Sequence, residues 1–213
     1  MKVKKIGHCC LYIQEGSLNI LTDPGMFSEG QDSVIGVDLI LITHEHQDHL
    51  HLDSVKTLMQ NNPAVEILCN KGVAKVLDTA GLSYRLIEDG QSTQFNDVVI
   101  EAHGTKHAEI YGDYGAVENT GFLINNRLFY PGDSLYAPGK EVEILALPVA
   151  GPWLSMAMAI DYAREIKPKS AFPVHDGMLR EDRGGFFHFI PQTVLKDYGI
   201  DFRPMKDGEE IEF

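Results

Sequence analysis

Cysteine is scarce in this chain: Cys9, Cys10 and Cys69 are the only three in 213 residues. The count is odd and two are adjacent, so they make no disulfide framework and read as reduced thiols. Basic residues are also short, 18 Lys and Arg against 31 Asp and Glu, for a formal net charge of −13. A chain that acidic lacks the electrostatic footprint of non-specific nucleic-acid binding. It can hold a small anion where metal ions supply local positive charge. No stretch approaches the roughly 18 apolar residues of a membrane span. The opening MKVKKIGHCCLYIQEG has neither the length of a signal h-region nor a small-residue cleavage site. Low-complexity segments and Pro/Ser linkers are missing, so residues 1–213 read as one domain. These absences lead us to expect a cytoplasmic protein with no nucleic-acid or membrane partner. They leave its oligomeric state open.

What is present suffices for a core: 44% hydrophobic and 23% charged residues are ordinary for a globular domain. CLYIQ, SLNILTD, DLILIT and AVEILC read as strands in the first half. Between them LDSVKTLMQN has helical spacing of Leu52, Val55, Leu58 and Met59, with Asp53 or Ser54 as a cap. KGVAKVLDTAG reads as a helix stopped by Gly81. The second half repeats the style. DVVIEAH, TGFLIN, RLFYPGD, VEILALPVA and SAFPVHD are strands, with NNR as a hairpin turn. SMAMAIDYAREIKP is a helix ended by Pro168, and PQTVLKDYG a last helix with Pro191 near its start. Strands dominate in both halves, which predicts an α/β sandwich.

The strongest chemical signal is THEHQDHLH, directly after the strand DLILIT. His44 and His46 are two apart, so in extended chain they point the same way. Asp48 and His49 follow at once. Four nitrogen and oxygen donors in six residues at a strand end suit a divalent ion in an open site, and the absence of thiolate favours zinc or a similar metal.

These residues fit the H-x-H-x-D-H motif of the metallo-β-lactamase superfamily. IGHCCLYI and ILTDPG resemble the opening strands of its branch of small metal-dependent hydrolases, similar to ascorbate-phosphate lactonases. FYPGDS resembles the strand end that supplies a bridging aspartate. FPVHDG resembles the one that supplies the last histidine, and LPVAGPWLSM the segment before the preceding helix. The resemblance implies a four-layer αββα sandwich with metals at one edge. It implies that His44, His46 and one later histidine hold a first ion. Asp48, His49 and His175 hold a second, with Asp133 bridging. The ions implied are two divalent metals, zinc first, with manganese and iron as alternatives. His46 stands where oxygen-reducing flavodiiron relatives carry a carboxylate, which favours the zinc pattern.

Two such ions roughly 3.5–4 Å apart share a water and lower its pKa, giving a bridging hydroxide that attacks a carbonyl carbon or phosphorus. Asp48 is the expected catalytic residue, orienting that hydroxide. The expected substrate is a small intracellular ester or lactone. A phosphodiester and a non-catalytic metal-binding or regulatory role stay open as alternatives. Tyr111 and Tyr114, in a loop after the third-ligand region, and Arg180, Arg183 and His188, after His175, are candidate substrate contacts. His8 and His51 are candidates for supporting roles.

The third ligand of the first ion lies between that motif and Asp133, where His103 and His107 both qualify by order. Alternation cannot separate residues four apart. The resemblance can, because its G-x-x-H-A histidine is His107 here. His107→Ala is therefore expected to remove the first metal and His103→Ala to keep it, as measured by metal content per chain.

Overall fold

The computed structural model, which describes residues 1–180 and 184–213, holds two seven-stranded sheets. The first contains β1 (Lys2–Gly7), β2 (Cys10–Glu15), β3 (Leu18–Thr22), β4 (Leu39–Ile42), β5 (Glu66–Cys69), β6 (Arg85–Leu86) and β14 (Glu210–Glu212), in the order β14-β1-β2-β3-β4-β5-β6. The second contains β7 (Ser92–Phe95), β8 (Val98–His103), β9 (Gly121–Ile124), β10 (Leu128–Tyr130), β11 (Ile144–Pro148), β12 (Ser170–Val174) and β13 (Asp201–Phe202), in the order β13-β12-β11-β10-β9-β8-β7. The helices are α1 (Leu52–Asn61), α2 (Lys71–Ala80), α3 (Met156–Ile166) and α4 (Gly185–Leu195).

The apolar run of β4 shows how the layers arise. Leu39 and Leu41 enter the core between the sheets, with Val98, Ile100, Phe122 and Phe172 of the second sheet. Ile40 and Ile42 face the other way, under Val55 and Leu58 of α1 and Val73 and Leu77 of α2. β11 divides likewise: Ile144 and Ala146 point between the sheets, while Leu145 and Leu147 pack under Ala159 and Ala163 of α3 and Leu195 of α4. Strands buried on both faces read as unbroken apolar runs. The result is the expected four-layer αββα sandwich.

Topology brings the chemistry to one edge. β1 is antiparallel to β2, β2 to β3, and β3 is parallel to β4 and β4 to β5. Hence β1, β3, β4 and β5 all end at the same edge of the first sheet. In the second sheet β8, β10, β11 and β12 run together by the same reasoning. Bonds join the two edges: the Thr120 N–H donates to the Thr43 carbonyl at 3.0 Å, and the His175 N–H to the His8 carbonyl at 3.1 Å.

Helix ends follow local chemistry, with two corrections. α2 starts where the Asn70 side chain accepts the Val73 N–H and stops at left-handed Gly81, φ 69°. α1 is preceded by His51, and neither Asp53 nor Ser54 caps it; the Ser54 hydroxyl instead meets His51 Nδ1 at 3.0 Å. α4 begins at Gly185, and Pro191 lies inside it instead of near its start. Phe187 and Leu195 pack onto the outer face of the second sheet and carry the helix through the proline. β1 escaped the sequence reading because an inward position is Lys5, buried beside Asp176.

One glycine seats the loop that follows β4. Gly25 packs so closely that an added Cβ would lie 1.7 Å from the Asp48 carbonyl oxygen. The Met26 N–H donates to the Gln47 carbonyl at 2.9 Å, and the His51 N–H to the Pro24 carbonyl at 3.2 Å. Gly25→Ala is expected to destabilise the fold by about 1–3 kcal/mol through overpacking, as read from the urea unfolding midpoint.

Candidate metal centre

Asp133, just past β10, is the hub. Its Oδ1 lies 3.1 Å from His49 Nε2, and its Oδ2 lies 3.2 Å from His107 Nε2 and 2.9 Å from His175 Nε2. His44 Nε2 is 4.0 Å from Oδ2. On one side the rings of His44, His46 and His107 form a trio, with centroids 4.8–5.1 Å apart. On the other, Asp48 Oδ2 lies 3.9 Å from His49 Nε2 and 3.7 Å from His175 Nε2. The seven residues expected to hold metal are thus brought together. His103 is not among them. It ends β8, its Nε2 is 3.4 Å from Glu101 and its ring rests on Phe129. Gly104, φ 83°, turns the chain after it, and the Ala108 N–H reaches the Asp133 carbonyl at 2.7 Å, bringing His107 in.

Hydrogen bonds fix the tautomers. His49 Nδ1 is 2.7 Å from Asp23 Oδ2, His44 Nδ1 is 3.0 Å from Thr43 Oγ1, and His107 Nδ1 is 2.6 Å from the Ala108 carbonyl. In the neutral imidazole each Nδ1 then carries the proton, so each Nε2 presents a lone pair inward. The Nε2 atoms of His44, His49, His107 and His175, and Asp133 Oδ1, are buried without a hydrogen-bond partner. Orphaned buried acceptors are costly. Divalent cations would satisfy them, so the donor set fits a metal centre.

Charge compensation points the same way. Burial would raise the Asp133 pKa, but the His49 and His175 imidazoles hold it well below the carboxylate range. Burial opposes protonation of His49, yet Asp133, Cys9 and Asp23 hold its pKa well above the usual value. Burial keeps His44 neutral, its pKa well below that of free histidine. Without a cation the positive charge facing Asp133 sits on imidazole; a bound cation supplies it instead.

Asp23, Trp153 and Asn119 add supporting contacts that no local sequence pattern marks, while His8 is the supporting candidate named above. Asp23, in ILTDPG, accepts from the Thr43 N–H at 2.8 Å, the Thr43 hydroxyl at 2.6 Å and the Tyr130 hydroxyl at 2.6 Å. Trp153, in LPVAGPWLSM, donates its indole N–H to Asp133 Oδ2 at 2.9 Å. Asn119 accepts the Asp133 N–H at 3.0 Å. His8 Nδ1 accepts the Gly177 N–H at 3.0 Å, which leaves the proton on Nε2, 3.4 Å from Asp48 Oδ2. His8, Asp23 and His175 all have positive φ, at 41°, 34° and 62°.

The substrate candidates fare differently. Tyr111 and Tyr114 are 83% and 76% exposed on a turn. The base of that turn reaches the first trio, since a Cβ on Gly115 would lie 3.8 Å from His46 Cε1. His188 Nε2 is instead bound to Asp176 Oδ2 at 2.8 Å. His188 and Arg180 line a groove of about 1280 Å³ that none of the seven clustered residues lines. His188 and Arg180 thus lie on a groove apart from the seven clustered residues. Arg183 lies outside the described residues.

Comparison with known proteins identifies the family. The signature of the beta-lactamase superfamily domain matches residues 2–175. The chain belongs to the metallo-β-lactamase superfamily. Protein Rv0786c of Mycobacterium tuberculosis is 34% identical over 94% of this chain and 96% of its own length. A protein named UPF0173 metal-dependent hydrolase from Thermoplasma volcanium is 27% identical over 82% of this chain and 84% of its own. Among solved structures, the metallo hydrolase Igni18 of Ignicoccus hospitalis shares the superfamily's fold, with a TM-score of 0.76 at 19% identity over 100% of this chain and 98% of that one. Among the described residues no helix is long and apolar enough to cross a membrane.

Asp23→Asn keeps the side chain's shape but removes the charge that holds the His49 Nδ1 proton. It is expected to lower metal affinity about 10–100-fold, measured by competition with a chromogenic chelator.

Proposed function

We propose that this chain is a metal-dependent hydrolase with a dinuclear zinc centre, acting on a small ester or lactone. One observation carries the reading: four buried Nε2 atoms without hydrogen-bond partners converge on Asp133. His44, His46 and His107 would hold one ion, and Asp48, His49 and His175 the other. Asp133 faces both groups and would bridge them. The name of the UPF0173 relative supports the hydrolase class. The imidazole-rich donor set supports zinc.

When bound, two such ions supply an acidified water and a Lewis acid for the scissile oxygen. The remaining work falls to side chains. Asp48 is 20% exposed, against 0–2% for His49 and His175, so it is the member of its trio open to water and substrate. It takes a proton from the attacking water and returns it to the leaving oxygen. His8, whose Nε2 carries the proton, restrains the Asp48 carboxylate. Burial opposes ionisation of Asp48, but the neighbouring His8 and the charge on His49 draw its pKa down to about 2, so it stays ionised and able to face a cation. Trp153 and Asn119 clamp Asp133. Tyr111 and Tyr114, on the turn against His46, shape the rim where a small substrate enters. The lactonase-like branch resemblance guides the choice of lactones to test.

Metal analysis followed by a panel of lactones and phosphodiesters tests the reading. Two metals per chain and lactone turnover are expected, with Asp48→Ala lowering kcat about 10²–10⁴-fold. Phosphodiester turnover alone would reassign the substrate class. Full metal occupancy with no hydrolysis of any class would make the chain a metal-binding module.

A further inference from the structure

The sequence reading found no thiolate among the donors, and the structure brings one in. Cys9 follows His8 at the turn between β1 and β2 and is fully buried. Cys9, His8, His49 and His175 are all buried, and each offers one donor atom within 4.8 Å of the others. The thiol is free.

We propose that Cys9 is a thiolate metal ligand, forming with His49 and His175 an inner, soft-metal position behind the second ion's site. This rests on the metal centre proposed above. His49 Nε2 and both ring nitrogens of His175 are buried without hydrogen-bond partners. His175 differs here from His44, His49 and His107, whose Nδ1 atoms are each fixed by an acceptor. No hydrogen bond dictates which nitrogen His175 turns to a cation. His8 is not a ligand in this arrangement, because the Gly177 N–H occupies its Nδ1 and leaves the proton on Nε2. It serves instead as a donor beside the thiolate and Asp48.

Donor atoms around a tetrahedral zinc with one thiolate stand about 3.3–3.7 Å apart, so the group closes by roughly an ångström on loading. The S–H bond breaks, the metal–sulfur bond forms, and the proton leaves to solvent with no redox change. A thiolate favours zinc and cadmium over manganese and magnesium. Cys9 would therefore make the inner position selective for soft ions, while Asp48 and Asp133 keep the second ion's site oxygen-rich for hydrolysis.

Cobalt loading of the full chain tests this without reference to activity. A thiolate-to-cobalt(II) charge-transfer band is expected in the unmodified chain, absent in Cys9→Ser and retained in the Cys10→Ser, Cys69→Ser double variant, whose sole thiol is Cys9. Cadmium affinity should fall at least about tenfold in Cys9→Ser, with manganese affinity unchanged. Two cobalt ions per chain without the band overturn the thiolate ligand and leave the hydrolase centre standing. A band that survives in folded Cys9→Ser, or is lost in the double variant, also overturns it. Failure to bind cobalt at all overturns the metal centre itself.

Discussion

One buried carboxylate ties the two sheets to the centre they carry. Asp23 has no solvent contact and gathers the Thr43 N–H, the Thr43 hydroxyl, the Tyr130 hydroxyl and His49 Nδ1. Thr43 ends the run of β4, and Tyr130 belongs to β10 in the opposite sheet. A carboxylate can accept about four hydrogen bonds, so this one is saturated. Because Thr43 Oγ1 gives its proton to Asp23, its lone pair is free for His44 Nδ1. One anion thereby orients two histidines through different routes, one direct and one through a hydroxyl. Unpaired it would be costly; fully hydrogen-bonded it rigidifies the site.

The sandwich was legible because layering and period coincide. LILI of β4 and ILALP of β11 are apolar at every position because each is covered on both faces, and the stops of α2 and α3 at Gly81 and Pro168 are local signals. The gathering of the H-x-H-x-D-H loop, Asp133 and His175 was legible because metal binding would restrict residue type and order. The hidden parts share a different property. Lys5 broke the alternation of β1, since a buried cation reads as an exposed one until Asp176 is seen beside it. Asp23, Trp153 and Asn119 act across more than ten residues of separation, and nothing local distinguishes a capping aspartate from a saturated anchor. Pro191 misled for a similar reason: propensity ends a helix at proline, whereas packing of Phe187 and Leu195 carries α4 past it.

His103 and His107 show where sequence order stops and geometry begins. His103 ends β8 and His107 follows it by four residues. A left-handed glycine between them leaves His103 against Phe129 and lets His107 meet Asp133. The distinction depends on one backbone turn and on the bond from Ala108 to the Asp133 carbonyl, neither of which has a period.

His8, Asp23 and His175 hold left-handed backbone conformations. Among the described residues the only other non-glycine cases are three asparagines and Lys167, which closes α3. Asparagine, aspartate and histidine enter that region more readily than other side chains, though still at a cost relative to glycine. Each such residue costs the fold on the order of 1 kcal/mol or more. The centre is therefore assembled against the local preference of its own backbone. Evolution for robustness alone would drift these three positions toward glycine and erase the chemistry while hardening the scaffold. Histidine and aspartate at these three positions therefore exchange some stability of the scaffold for the side chains the centre is built from.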